Sequence, residues 1–352
     1  MTDAKVMIAM SGGVDSSVAA WLLTQDGCDC VGATMRLCDN LTPPSTAVQD
    51  AQSVAQRLGL PFYVFDRTEL FEKKVVQEFI DCYEQGGTPN PCMYCNQHLK
   101  FDALLRDALA LGCDYIATGH YAQIVQDTAT GRYLLKKAAD RAKDQSYFLS
   151  CLNQYQLAHT KFPLGDLTKE QVRQIAESQG FITARKKDSQ DICFIPDGDY
   201  VAFMERYSGK HYVQGNFLDL QGNIVGRHSG AVSYTIGQRK GLGLAMGEPV
   251  YVCSKNMTKN TVTVGPDEAL FRRELLANDW NWFPFDRLTE PLRVLARVRY
   301  RHTEQPATVY PLENGYAKVV FDTPQRAITT GQTVVLYDGD TVIGGGTICN
   351  VL

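Results

Sequence analysis

The segment Ser11-Gly12-Gly13-Val14-Asp15-Ser16 follows directly on the apolar run Val6–Met10 and opens a helical stretch, Ser17 to Leu23. Strand, glycine loop and helix in that order build an anion site. Gly12 and Gly13 are expected to take positive φ and bring the backbone close to a ligand. The freed N–H groups and the helix N-terminus then face phosphate. Neither dominant phosphate motif is present: the chain has no G-x-x-x-x-G-K-[ST], and G-x-G-x-x-G is missing here. Asp15 is expected to meet the phosphate end, directly or through a metal ion. The plain alternative is an ordinary strand–helix turn, against which the added Val-Asp-Ser counts.

The first half of the chain alternates apolar runs with helical patterns. Val6–Met10, Cys30–Met35, Phe62–Phe65 and Tyr115–Thr118 read as strands. Ser17–Gln25, Thr46–Leu58, Glu69–Tyr83 and Phe101–Leu111 read as helices, as does Leu167–Ser178, with Thr168 as its cap and Gly180 past its end. That alternation predicts right-handed βαβ units around a buried parallel sheet. Near residue 198 the character changes. Short strands follow at Val213–Asp219, Ile224–Arg227, Val250–Cys253 and Thr261–Val264. A second series follows at Leu292–Arg301, Ala307–Pro311, Ala317–Phe321, Thr333–Tyr337 and Val342–Ile348. Such spacing predicts small all-β modules, the last a barrel. The expected organisation is an α/β domain over 1–198 and two small mainly-β domains over 199–270 and 271–352.

The chain is 44% hydrophobic and carries a net charge of −4, ordinary for a globular enzyme and no sign of a general nucleic-acid binder. It has no apolar run of about 18 residues that would span a membrane. The first strand begins by residue 5, so a cytoplasmic protein without a leader is expected. Eleven cysteines in such a chain are not a disulfide framework. Cys92 and Cys95 form a C-x-x-C pair in Thr88–Asn96, where two prolines and two asparagines predict a loop. Cys193 lies in Lys187–Pro196, and Lys186 and Lys187 beside it are expected to favour its thiolate. Three readings stay open for these thiols: a zinc site, which lacks a second ligand pair; a redox or sulfur-carrying pair; and inert packing.

Ser11–Ser16 resembles the PP-loop of the ATP pyrophosphatase superfamily, which splits ATP between the α and β phosphates. Taken with Thr88–Phe101, Ala117–Ala122, Lys143–Leu149, Asp188–Ile195, Ser233–Gly243, Arg299–Arg301 and Gly344–Gly346, the chain resembles the tRNA-specific 2-thiouridylase family almost from end to end. The resemblance implies that Ala9, Met10, Ser11, Gly12, Gly13, Val14, Asp15 and Ser16 hold ATP, with Met35 and Gly119 on the adenine and ribose side. It implies Mg²⁺ with the nucleotide, no metal held by protein ligands alone, and no tightly bound prosthetic group. Cys193 corresponds to the persulfide-bearing cysteine and Cys95 to the partner that attacks and closes a disulfide. Asn90, Pro91 and Cys92 match the stretch at the target base. His120, Lys143, Asp144, Gln145, Arg299, Tyr300 and Gln332 match contacts to the anticodon stem-loop of tRNA. A persulfide donor protein is the other implied partner, no membrane is involved, and a monomer is expected. An aspartate often stands in this family where the chain has Cys92, so an acid–base role there has lost its carboxylate.

Read as a strand, Leu292–Arg301 puts Arg293, Arg297, Arg299 and Arg301 on one face, and no acid occurs between Glu290 and Glu304. That is a basic stripe suited to phosphates, or a solvated outer face. From Leu220 to Gly247 the chain again has no acid, while Arg227, Arg239 and Lys240 stand among seven glycines. Two other functions fit parts of this pattern: a PP-loop synthetase of amidotransferase type acting on a small molecule, and an RNA-binding module gated by nucleotide.

Overall fold

The computed structural model describes residues 4–42, 46–184, 186 and 192–352. Lys187, expected to favour the Cys193 thiolate, and residues 188–191 of the segment that carries Cys193 lie outside these.

The first seven strands are β1 (Lys5–Ala9), β2 (Asp29–Arg36), β3 (Phe62–Asp66), β4 (Tyr115–Ala117), β5 (Ala122–Gln126), β6 (Tyr133–Lys137) and β7 (Thr160–Lys161). Five of them form a parallel sheet in the order β3-β2-β1-β4-β7. Val6, Met7 and Ile8 of the central strand are all fully buried, as a strand covered on both faces requires. Alternation along β1 sends Val6 and Ile8 into one apolar cluster, with helices α1 (Val14–Gln25) and α2 (Ala47–Arg57). Met7 enters the other, with Phe101, Leu104 and Leu105. The helix Lys169–Ser178 starts on the expected cap: the Thr168 hydroxyl accepts from Gln171 N–H (3.3 Å), and Gln171 Oε1 accepts from Thr168 N–H (2.8 Å).

One expectation fails at the C-x-x-C pair. Pro91–Cys95 is helical and runs on through a π-helical stretch, Asn96–Ala103, into Leu104–Ala110. Proline does not break this helix because Pro91 occupies its first turn, where a missing N–H costs nothing.

The second module carries β8 (Gly215–Leu218), β9 (Ile224–His228), β10 (Tyr251–Asn256) and β11 (Thr261–Gly265), in the order β10-β11-β8-β9. The third carries β12 (Phe271–Trp282), β13 (Leu292–Arg297), β14 (Gln305–Pro311), β15 (Ala317–Arg326), β16 (Thr333–Asp338) and β17 (Thr341–Val351). β12 pairs with both β15 and β17 and closes these strands into an antiparallel barrel. Gly344 and Gly346 are small because the stacked indoles of Trp280 and Trp282 lie against them. A Cβ there would sit 2.6 to 2.8 Å from a Trp ring atom.

Two features escaped the sequence pattern. β12 alternates poorly and did not read as a strand. The β5–β6 hairpin comes from the first domain's sequence, yet β6 pairs with β17 and extends the barrel sheet. β13 is also shorter than expected. It ends at Arg297, whose guanidinium turns back to donate to the Tyr300 and His302 carbonyls. The continuous basic strand to Arg301 is therefore not formed.

Candidate active site

The PP-loop geometry starts at Gly12. Its φ is +69°, and a Cβ there would lie 2.4 Å from the Ala47 carbonyl oxygen at the start of α2. Gly13 differs from expectation: it is the extended N-cap residue of α1, with φ −103°. The Gly13 carbonyl accepts from the Ser16 and Ser17 hydroxyls (3.1 and 2.9 Å), and Ser16 Oγ accepts from Ser11 N–H (3.2 Å). Lys186 Nζ donates to the Gly12 carbonyl (3.1 Å) and to Asp50 (2.9 Å). The loop is thus fixed by its own side chains, and the first-turn N–H groups of α1, which have no partner inside the helix, remain for an anion. Gly119 presses on the far side of this loop, where a Cβ would meet Ser16 N at 2.7 Å.

Asp15 does not stand free for phosphate or metal. Lys169 Nζ donates to both of its carboxylate oxygens (2.7 and 2.8 Å), and Tyr121 OH donates to Oδ1 (2.8 Å). A magnesium ion here would therefore ride on nucleotide phosphates and water, its usual habit, rather than on this carboxylate. Lys169 and Tyr121 are positioning residues to which sequence reading assigned no role: Tyr121 lies within the Ala117–Ala122 segment, Lys169 in none of the segments quoted above, and both are distant in the chain from Asp15.

The thiols meet beside this domain. Cys95 and Phe194 share one apolar cluster, against which Met35, Cys38 and Ile192 pack. Cys193 and Cys92 are exposed, while Cys95 is buried. Ile192 and Phe194, on either side of Cys193, thus pack with Cys95, Cys92 shares the Cys95 helix, and Cys38 joins the same cluster. Cys38 follows the carboxyl end of β2, where open α/β sheets place ligands; that position was the available clue.

The protonation of these groups departs from expectation. The hydrogen bond to Cys38, then burial, pushes the Cys193 thiol up, and among the described residues no lysine pulls it down. Lys186 is turned to the PP-loop instead. The same hydrogen bond pulls Cys38 down to about 7. Burial pushes Cys95 and Cys92 up. Among the described residues no group of three or more His, Cys, Asp or Glu is arranged to hold a metal ion, so the zinc alternative gains no ligand set there.

Asn90 precedes the helix that carries Cys92 and Cys95, and Pro91 opens it. Gln332 Nε2 donates to the Thr88 and Pro89 carbonyls (3.0 and 3.2 Å), so this side chain holds the loop in front of Asn90. His120 accepts or donates at Nδ1 with Thr118 Oγ1 (2.7 Å), and burial, then Lys100, lowers its pKa well below the ordinary range. It is a neutral imidazole. Asp144 is 5% exposed: Oδ1 accepts from the Ala138 and Ser146 N–H groups, and Oδ2 from Ser146 Oγ (2.8 Å). Gln145 Oε1 accepts from Tyr121 N–H (2.9 Å). Both therefore shape the backbone behind the surface. Tyr300 packs on Phe148, with ring centroids 4.4 Å apart. Arg299 donates to the Ala327 carbonyl, and Arg293 pairs with Asp322. Of the expected stripe, Arg301 is exposed, as are Arg227, Arg239 and Lys240 of the second module.

Residues 4–197 match the tRNA methyl transferase HUP domain family, 201–266 the tRNA methyl transferase PRC-barrel domain family, and 272–348 the aminomethyltransferase beta-barrel domain family. The chain is 50% identical over 356 residues to a tRNA-specific 2-thiouridylase of Clostridioides difficile, covering 98% of each chain. It is 49% identical over 358 residues to one of Acetivibrio thermocellus, covering 99% of this chain and 100% of that protein. With one of Halothermothrix orenii it shares 47% over 354 residues, 98% of each.

Proposed function

The chain belongs to the tRNA-specific 2-thiouridylase family and is a tRNA 2-thiouridylase; from that premise we propose that its target is the wobble uridine and that the three thiols and the PP-loop divide the reaction between them. The observation that carries the reading is the packing of Cys95 in one apolar cluster with Phe194, the neighbour of Cys193 about a hundred residues away in sequence, in a domain whose first loop is an anion cradle.

ATP binds at the PP-loop with Mg²⁺ on its phosphates, and Met35 and Gly119 line its adenosine side. The uridine C2 oxygen attacks the α-phosphate and pyrophosphate leaves, which turns that oxygen into part of a good leaving group, AMP. A donor protein loads a persulfide onto Cys193, whose exposure suits docking of such a partner. The outer sulfur reaches C2 directly or as hydrosulfide released by the partner thiol, Cys95. AMP leaves, and the Cys95–Cys193 disulfide is reduced by an external dithiol. Asn90, Pro91 and Cys92 face the base, which must be splayed from its loop to reach them. Lys143, Arg299, Tyr300 and His120 contact the anticodon stem-loop. Asp144, Gln145 and Gln332 act through the backbone they hold.

Pyrophosphate release measured with and without tRNA, followed by mass spectrometry of nucleosides from the treated tRNA, tests this. Release is expected only with tRNA, and 2-thiouridine only when ATP and a sulfur source are both present. Cys193→Ser is expected to keep tRNA-dependent release and form no 2-thiouridine, and Cys92→Ser to lose least. Release that ignores tRNA would favour a small-molecule synthetase instead.

A further inference from the structure

One helical run from Pro91 through Ala110 carries Cys92, Cys95 and Lys100. Its middle, Asn96–Ala103, is π-helical and closes its hydrogen bonds over five residues instead of four. Lys100 therefore lies one turn below Cys95 on the same face, and a helical side chain leans back toward the helix N-terminus. The next residue, Phe101, packs on the imidazole of His120, with ring centroids 5.7 Å apart. His120 follows Gly119, where a Cβ would meet Ser16 N of the PP-loop at 2.7 Å. Lys100 is thus placed where the thiol helix approaches the nucleotide loop. It is half-buried and makes no hydrogen bond and no ion pair among the described residues. One turn above it, Asn96 is 1% exposed. Asn96 Nδ2 donates to the Phe148 carbonyl (2.9 Å), which fixes the amide and leaves Oδ1 without a partner among the described residues.

We propose that Lys100 is a catalytic residue for adenylation: its ammonium bonds a non-bridging oxygen of the α-phosphate, while Asn96 Oδ1 accepts another of its three hydrogens. The uridine C2 oxygen forms the new bond to the α-phosphorus. The bond from that phosphorus to the oxygen bridging the β-phosphate breaks, and pyrophosphate leaves with the electron pair. The base gives up its N3 proton to water, and Lys100 keeps its own. A fixed cation meets the charge on the phosphoryl oxygens as it shifts in the transition state. The same contact stays on the phosphate when sulfur attacks C2, the C2–O bond breaks and AMP leaves with that electron pair. The inference rests on the adenylation of tRNA proposed above.

Two further observations support it. The protein offers Lys100 no countercharge nearby. Burial pushes the Cys95 thiol up although Lys100 pulls it down, so that thiol is protonated at neutral pH. Burial, then Lys100, lowers His120, which stays a neutral imidazole. An anion carried in by a substrate is what this ammonium lacks. The two lysines seated against the PP-loop are already engaged: Lys169 pairs with Asp15 (2.7 Å) and Lys186 with Asp50 (2.9 Å). Lys100 has no such pairing among the described residues and needs to break none to meet phosphate.

The test compares the purified full chain with Lys100→Met, Lys100→Gln and Lys100→Arg in the presence of tRNA, ATP and Mg²⁺. Pyrophosphate release is followed over a range of tRNA concentrations, tRNA binding at several salt concentrations, and 2-thiouridine by mass spectrometry of nucleosides. Circular dichroism confirms that each variant is folded. Lys100→Met and Lys100→Gln are expected to lower kcat for release roughly a hundredfold or more, with KM for tRNA and the salt slope of binding unchanged. Lys100→Arg, which keeps the charge, is expected to recover part of the rate. Release at the wild-type rate in Lys100→Met, with 2-thiouridine alone lost, would overturn the proposal and assign the ammonium to the thiols. A wild-type kcat with a raised KM for tRNA and a salt slope reduced by about one unit would overturn it in favour of an RNA-backbone contact. A wild type that releases no pyrophosphate with tRNA would overturn the adenylation reading itself, and this inference with it.

Discussion

At Asp15 a PP-loop residue and two residues from far along the chain make one device. The carboxylate takes both oxygens' bonds from Lys169 and a third from Tyr121, and the Lys169 side chain is only 10% exposed against 31% for Asp15. The pair ties the first turn of α1 to the helix Lys169–Ser178 and so aims the loop's N–H groups. Removing the acid takes away both of the bonds that Lys169 makes to Asp15 and the one from Tyr121. Asp15→Ala is therefore expected to cost about 2 kcal/mol, less than for a fully buried pair because solvent reaches Asp15. Urea unfolding checks this. Wild-type stability in Asp15→Ala would show that the pair does not hold the loop. Sequence reading found Asp15 but neither Lys169 nor Tyr121 as its neighbours. A motif states which side chain is present, whereas its partner arrives from more than a hundred residues away and obeys no local pattern. Cys193 repeats the lesson: of the two lysines adjacent in sequence, Lys186 points to Gly12, and Cys38 and burial push the thiol up.

Among elements, the turn between β1 and α1 is the most constrained. Gly12 combines a left-handed φ with a close approach to Ala47, while Gly13 is extended and its nearest added-Cβ contact is 3.4 Å. Gly12→Ala must strain the backbone and push α2 from the loop. Displacement of this kind, approaching an ångström at a reacting group, is expected to lower tRNA-dependent pyrophosphate release roughly tenfold to a hundredfold. Gly13→Ala should keep most of it. Equal loss in both would mean that the loop's shape is not set at Gly12. The strand and helix pattern of this domain was readable because buried parallel strands are continuous apolar runs and its helices are amphipathic. The helix from Pro91 was not, since proline and asparagine near a helix start look the same in sequence as a loop. β13 was read four residues too long because arginine alternation continues past Arg297, where the side chain turns to carbonyls instead of solvent.

The three modules meet around Cys82 on the helix Gln77–Glu84. A Cβ on Gly331 of the barrel module would lie 2.5 Å from its sulfur, and Met257 of the second module packs against Gly86. Lys137 of β6 adds a bond to Glu304 (2.7 Å), and Arg297 faces both Glu304 and Asp144. Basic side chains of the second and third modules thus split into those that fasten the molecule and those that face water. Arg301→Ala should reduce the salt slope of tRNA binding by about one unit, and Arg297→Ala should lower stability without that change. Lys255 of β10 belongs to neither group. Its ammonium is buried with no hydrogen-bond partner among the described residues, and burial pushes it down to about 8, with Cys82 near it. Cys82 gives no countercharge at neutral pH, for burial pushes that thiol up to about 11. Between about 8 and the ordinary lysine value of 10.5, the unfolded chain holds a proton that the folded chain has shed. Stability contributed by this site therefore rises with pH across that window. Below pH 8 the folded chain carries the full penalty of a buried, unpaired charge. Lys255→Met removes that penalty, so it is expected to stabilise the protein at pH 7 by about 2 kcal/mol and to flatten the rise between pH 8 and 10.5. Denaturant unfolding of both proteins at several pH values checks this. A variant less stable than the wild type at pH 7, with an unchanged pH slope, would mean that the Lys255 charge is paired in solution and helps to hold the modules together.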